Sequence, residues 1–143
     1  MRTRFLLPLA ALAMAAGCAG KGAAGALPAP RTGAAVHVTA ADNGKTVAVA
    51  VGSSLAVELV GIPTAGYLWK PSSTPDFLKE TGTSGGPTTK AQKQPGFSGG
   101  RHWEVTTFVA QRAGTGVLKF EQRRPWETNQ PPDGTFSVTI EAK

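Results

Sequence analysis

The chain holds one cysteine, two histidines and nine carboxylates in 143 residues, and each scarcity removes a class of chemistry. Cys18 has no second cysteine to pair with, so the folded part must be held by its apolar core. His37 and His102 lack a cysteine or carboxylate at ligand spacing, so they read as surface or edge residues and no metal or other cofactor is expected. No Gly-x-Ser-x-Gly elbow frames Ser98, and no glycine-rich loop precedes a phosphate-binding lysine. Glu104, Glu121 and Glu141 occupy strand positions expected to face solvent, so a paired-carboxylate hydrolase would need distant residues to converge, and nothing in the sequence indicates that. The domain therefore reads as a binder and not an enzyme.

Long apolar runs are absent too. The longest, Phe5 to Ala16, has twelve residues, fewer than the roughly 20 that cross a bilayer as a helix. It follows a basic start, Met1 to Arg4, and ends at Ala15-Ala16-Gly17-Cys18. That order reads as an export signal over residues 1–17. The last four residues resemble a bacterial lipobox, with Ala15 where such motifs prefer Leu. The resemblance implies cleavage before Cys18 and lipidation of its thiol, hence an exported lipoprotein of the cell envelope held on a membrane by two or more acyl chains. Ordinary cleavage nearby would leave a free thiol instead. Residues 18–35 are mostly Ala, Gly and Pro and are expected to act as a flexible tether.

The formal charge of +6 falls to +4 without Arg2 and Arg4, and the remaining basic side chains are scattered. A nucleic-acid partner would need a coherent basic stripe, so none is expected.

Residues 36–143 show no sustained helical period, but several stretches alternate with period two. Phe136, Val138, Ile140 and Ala142 oppose Ser137, Thr139 and Glu141, the pattern of a strand with one buried face. The same reading applies to Val36 to Thr39, Thr46 to Val51, Leu55 to Val60, Tyr67 to Lys70, Trp103 to Ala110 and Val117 to Gln122, with a weaker strand over Phe77 to Glu80. Seven to eight short strands punctuated by Gly and Pro predict an all-β, immunoglobulin-like antiparallel sandwich. An open barrel is the alternative. Trp69 is expected as a core plug on a central strand. Trp103 fits either the core or the neighbourhood of a loop, and Lys79 to Gly100 reads as a long connection.

Three loop segments stand out: Ile62 to Gly66, Pro95 to Gly100, and Arg124 to Glu127. In such a sandwich the B–C, D–E and F–G connections share one end, so the three segments are expected to form one edge. Pro63 fixes a φ angle and Gly66 permits a turn that other residues resist, which makes the first segment a stiff tip. Trp126, among Arg124, Pro125 and Glu127, is expected to be exposed and to serve as an aromatic anchor.

These segments resemble the chagasin family of cysteine-peptidase inhibitors. Pro63-Thr64-Ala65-Gly66-Tyr67-Leu68-Trp69 is similar to its Asn-Pro-Thr-Thr-Gly-Tyr/Phe-x-Trp, Ser98-Gly99-Gly100 to the end of its Gly-x-Gly-Gly, and Arg124-Pro125-Trp126 to its Arg-Pro-Trp. The resemblance implies reversible inhibition of papain-like cysteine peptidases by a wedge of three loops, carried by a monomer. Pro63, Thr64, Ala65 and Gly66 would enter the cleft, while Ser98, Gly99, Gly100, Arg124, Pro125 and Trp126 would hold its walls. Ile62 replaces the Asn, which removes a side chain able to brace the turn; Ala65 replaces the second Thr. Phe97 falls near the first Gly of the second motif. The competing expectation is an immunoglobulin-like envelope module that binds another protein or a glycan.

Overall fold

The computed structural model describes residues 25–143. The expected export signal, residues 1–17, and the expected lipidation site, Cys18, lie outside them. Eight strands form two four-stranded sheets. They are β1 (Val36–Thr39), β2 (Thr46–Val49), β3 (Ser54–Gly61), β4 (Leu68–Ser73), β5 (Leu78–Pro87), β6 (His102–Ala110), β7 (Gly114–Arg123) and β8 (Gly134–Ala142). One sheet runs β1-β3-β6-β5 and the other β2-β8-β7-β4. The short strands β1 and β2 pair in parallel with β3 and β8; every other pairing is antiparallel. This is the expected sandwich.

The core is where the two inner faces meet. β8 contributes Phe136, Val138, Ile140 and Ala142, β7 contributes Leu118 and Phe120, and the facing sheet contributes Val38, Leu55, Val57, Leu59, Phe108 and Ala110. Phe120 is packed edge-on between Phe108 and Phe136, with ring centroids 6.2 and 6.4 Å away, a geometry that adds to simple burial. β7 starts earlier than its apolar pattern suggests because Gly114 and Gly116 leave room for Phe77 and Pro75 to fold over it. A Cβ at Gly116 would come within 2.9 Å of Pro75.

Four sequence expectations need correction. First, the long connection from Lys79 to Gly100 is half strand: Leu78 to Pro87 pairs with β6 along its whole length. As an edge strand exposed from Lys79 to Gly85, β5 is held by main-chain pairing and needs no apolar face. Its register shifts between Glu80 and Gly82, as that of β4 shifts between Pro71 and Ser73. Second, Trp69 is on an edge strand, where it packs half-buried against the core instead of plugging its centre. Third, Glu104 does not face solvent but shares the inner face of β6 with Thr106, Phe108 and Ala110, since residues two apart point the same way. Trp103 accordingly lies on the opposite face of that sheet.

Fourth, the Ala/Gly/Pro stretch is fastened to the domain from Gly25 onward. Leu27 N donates to Thr88 O at 2.8 Å, Lys90 N donates to Gly25 O at 2.7 Å, and Ala35 N donates to Ser54 O at 3.0 Å. The Trp103 indole N–H donates to Leu27 O at 2.9 Å. Such a segment buries little, yet its peptide groups can bond as well as any others.

Candidate functional site

The β3–β4, β5–β6 and β7–β8 connections lie at one end of the sandwich, and they carry the three segments singled out in the sequence. The first begins where β3 ends. Ile62 and Tyr67 exchange both main-chain bonds, N to O at 3.1 Å and 3.2 Å, which closes a loop of four residues between them. Inside it Pro63–Ala65 makes one 3-10 turn, sealed by Gly66 N donating to Pro63 O at 2.9 Å with Gly66 at φ +84°. The bracing that an Asn side chain would supply comes here from the backbone of Ile62 itself. Thr64 and Ala65 are exposed at the apex.

The third loop is stapled to this tip. Arg124 Nε donates to Ala65 O at 3.0 Å, and its Nη1 donates to Glu127 Oε1 at 3.1 Å. The guanidinium lies 4.3 Å from the centre of the Tyr67 ring, a cation–π contact. One side chain thus touches both sides of the first loop and its own loop. Trp126 lies against Gly66, where a Cβ would collide with the indole. Gly66 is therefore required twice, for its positive φ and for the ring above it. Trp126 is still 66% exposed. Pro125 beside it is exposed as well.

The second loop, Thr88 to Arg101, is organised from within. Gln92 Oε1 accepts from Thr88 N at 2.7 Å and Thr89 N at 2.9 Å, while Gln92 Nε2 donates to Arg101 O at 2.7 Å. Its outer half carries Gly96, Gly99 and Gly100 at φ +80°, +83° and +85°. Ser98 and Gly100 are exposed, and so is Phe97, at 49%. Approach to the tip occurs at Gly99, where a Cβ would stand 4.0 Å from Thr64 Oγ1. His102 Nδ1 is 3.2 Å from Gly100 O.

Under the tip the two sheets are joined by side chains. The Trp69 indole donates to Val60 O at 2.9 Å, and Trp69 N donates to Glu104 Oε2 at 2.9 Å. Glu104 Oε1 is buried without a hydrogen-bond partner, against Gly61, where a Cβ would clash with it. Burial raises the Glu104 pKa above its ordinary value, opposed by the Trp69 bond and by the charges of His102 and Lys70. An open groove of about 920 Å³ beside it is bordered by the edge strands β4 and β5. Among the described residues no group of three His, Cys, Asp or Glu side chains is placed to hold a metal.

All ten residues expected at the binding edge are thus in these three loops, and direct contacts join Ala65, Gly66, Arg124 and Trp126. The supporting roles of Gln92, Tyr67 and Glu104 are not part of the sequence reading. Gln92 had a readable signal, because Thr89-x-x-Gln92 is a helix-start pattern. The contact of Tyr67 with Arg124 and that of Glu104 with Trp69 had none, since these partners are distant in the chain.

The family described as "Chagasin family peptidase inhibitor I42" matches residues 48–140. Chagasin from Trypanosoma cruzi is 30% identical over 116 residues, covering 73% of this chain and 96% of the relative. Among solved structures, a cysteine protease inhibitor from Entamoeba histolytica superposes with a TM-score of 0.64 at 17% identity, covering 76% of this chain and 96% of its own. The solution structure of amebosin gives 0.59 at 27% identity, with 76% and 97% covered.

Proposed function

The chain belongs to the chagasin family of peptidase inhibitors, and on that premise we propose that it blocks papain-like cysteine peptidases by inserting the Pro63–Gly66 turn into the substrate cleft. It is an inhibitor and not an enzyme. The observation that carries the reading is the stapled edge, in which Arg124 bonds the tip at Ala65 and Trp126 rests on Gly66 while remaining exposed.

A substrate is cut when one peptide bond lies open to the catalytic thiolate. Residues 63 to 66 are instead held in a tight turn by the Ile62–Tyr67 pair, so the tip fills space without presenting a bond in that geometry. The turn is formed before docking, which limits the ordering entropy lost on binding. Trp126 supplies an aromatic anchor of the type that dominates interfaces, worth about 2 kcal/mol or more when desolvated. Ser98, Gly99, Gly100 and Pro125 complete the contact on either side. A protease–inhibitor contact buries on the order of 1,600 Å² in total, within the reach of three loops on one edge.

The protein is tested against papain and a cathepsin. Submicromolar, reversible and competitive inhibition is expected; failure against every papain-like enzyme in a panel rejects the reading.

The cellular setting is part of the same proposal. The basic start, the short apolar run and the single cysteine at the end of Ala15-Ala16-Gly17-Cys18 support export and lipid attachment at Cys18, with the inhibitor held at the cell envelope. Labelled fatty acid should be incorporated by the parent and not by Cys18→Ala; equal labelling of the two refutes the anchor.

A further inference from the structure

The contacts of residues 25–30 converge on the root of the second loop. Gly25 O accepts from Lys90 N at 2.7 Å, Leu27 N donates to Thr88 O at 2.8 Å, and Ala26 forms a β-bridge with Thr89. Trp103, at the far end of the same loop, closes the circle by donating its indole N–H to Leu27 O at 2.9 Å. Pro30 meanwhile lies over Gly86, where a Cβ would approach its ring to 3.1 Å. Each stem of the loop is therefore tied to one short piece of chain.

This loop needs such a tie more than the other two. Its apical half has three glycines at positive φ, and glycine restricts the backbone less than any other residue. No hydrogen bond like that from Arg124 to Ala65 fastens its apex to the tip; the approach is the 4.0 Å one at Gly99. Gln92 holds the stems to each other, and among the described residues those from 25 to 30 bond to Thr88, Lys90 and Trp103 from outside the loop.

We infer that Gly25–Pro30 is a strap that sets the position of the second inhibitory loop, with Leu27 and Trp103 as positioning residues for peptidase binding. The strap does not touch the peptidase. It acts by holding Thr88 to Lys90 in place, so that Ser98, Gly99 and Gly100 meet the cleft wall without first being ordered. This inference rests on the inhibitory reading of the three loops. Composition concealed it, because an Ala/Gly/Pro stretch looks like a linker when its contacts are made by peptide groups.

Two substitutions in the full chain test it. Leu27→Pro removes the N–H that bonds Thr88, and Trp103→Phe removes the indole donor while keeping an aromatic ring. Each is expected to speed dissociation from papain about tenfold, with association rate and unfolding midpoint little changed. The double variant should be no worse than the weaker single one, because both act through one strap. Hydrogen exchange at the Lys90 amide should accelerate in the free Leu27→Pro protein. Unchanged dissociation, multiplicative effects or an unchanged Lys90 amide would each overturn the inference. If Trp103→Phe unfolds, Leu27→Pro decides alone. If the parent inhibits no papain-like enzyme, the functional reading fails and Lys90 exchange still decides whether the strap orders the loop.

Discussion

The first and third loops are built as one body, whereas the second is built apart from them. Arg124 bonds Ala65 and stacks on Tyr67, and Trp126 rests on Gly66, so the tip and the third loop share their supports. The second loop draws on Gln92 and on the N-terminal strap, and its Gly99 lies beside Thr64 of the tip without a hydrogen bond between them. A fixed tip-and-wall unit beside a separately hung arm gives one rigid contact and one that can be adjusted without disturbing it.

The largest expected effect breaks the rigid unit at its exposed anchor. Trp126→Ala should weaken inhibition by about 30-fold or more, the scale of a hot-spot loss of about 2 kcal/mol. Its unfolding midpoint should barely move, because the ring is mostly in solvent. Loss of affinity no greater than that of a rim residue would remove the anchor role.

Gly66→Ala attacks the same unit from below. It forces a side chain into the +84° φ turn and into the Trp126 ring, for a strain of about 1–2 kcal/mol. Denaturant unfolding should register that loss, and inhibition should fall about tenfold as Trp126 is displaced. Combining Gly66→Ala with Trp126→Ala should cost less than the two separately, since the collision is then gone.

Arg124→Lys keeps the charge but loses the planar group that bonds Ala65 and stacks on Tyr67 together. A loss of about fivefold in affinity is expected from weakened hydrogen-bond and cation–π contacts. Gln92→Ala should have a similar effect through the second loop, and the two losses should multiply if the loops are independent bodies. A marked departure from multiplication would show that the separation drawn above is wrong.

The smallest effect concerns pH. Folding raises the Glu104 pKa above its ordinary value near 4.5, chiefly by desolvation. The folded state therefore holds this proton more tightly than the unfolded state. Its contribution favours folding fully below about pH 4.5 and is lost as pH climbs through the raised value. Glu104→Gln keeps an oxygen for the Trp69 N–H and removes the titration. Urea midpoints should show a flatter pH dependence above pH 4.5 in the variant, with neutral-pH stability equal to or above that of the parent. A steeper dependence would contradict the assignment.

Much of this architecture is legible in the sequence where side chains carry the signal. Phe136, Val138, Ile140 and Ala142 announce β8 because each is buried on one face, and the other inner-face strands follow the same rule. β5 announces itself poorly because an edge strand exposed over most of its length is stabilised by peptide groups common to every residue. The phase of β6 is hidden for a related reason: Trp103 on one face is covered by the strap while Phe108 on the other enters the core, so both faces carry large apolar groups. Within the loops, Pro63, Gly66 and Trp126 advertise their roles by residue type. The bond from Arg124 to a carbonyl 59 residues away does not.

The register shifts in β4 and β5, two of the four edge strands, have a consequence for how copies of this protein treat one another. An unpaired strand edge is a template on which a second chain can add. β4 interrupts its edge with Pro71, which offers no N–H, and with the shift beside it; β5 does so with the shift at Thr81 next to the charged Lys79 and Glu80. The β4 and β5 borders of the sandwich are thus poor nuclei for the addition of further strands.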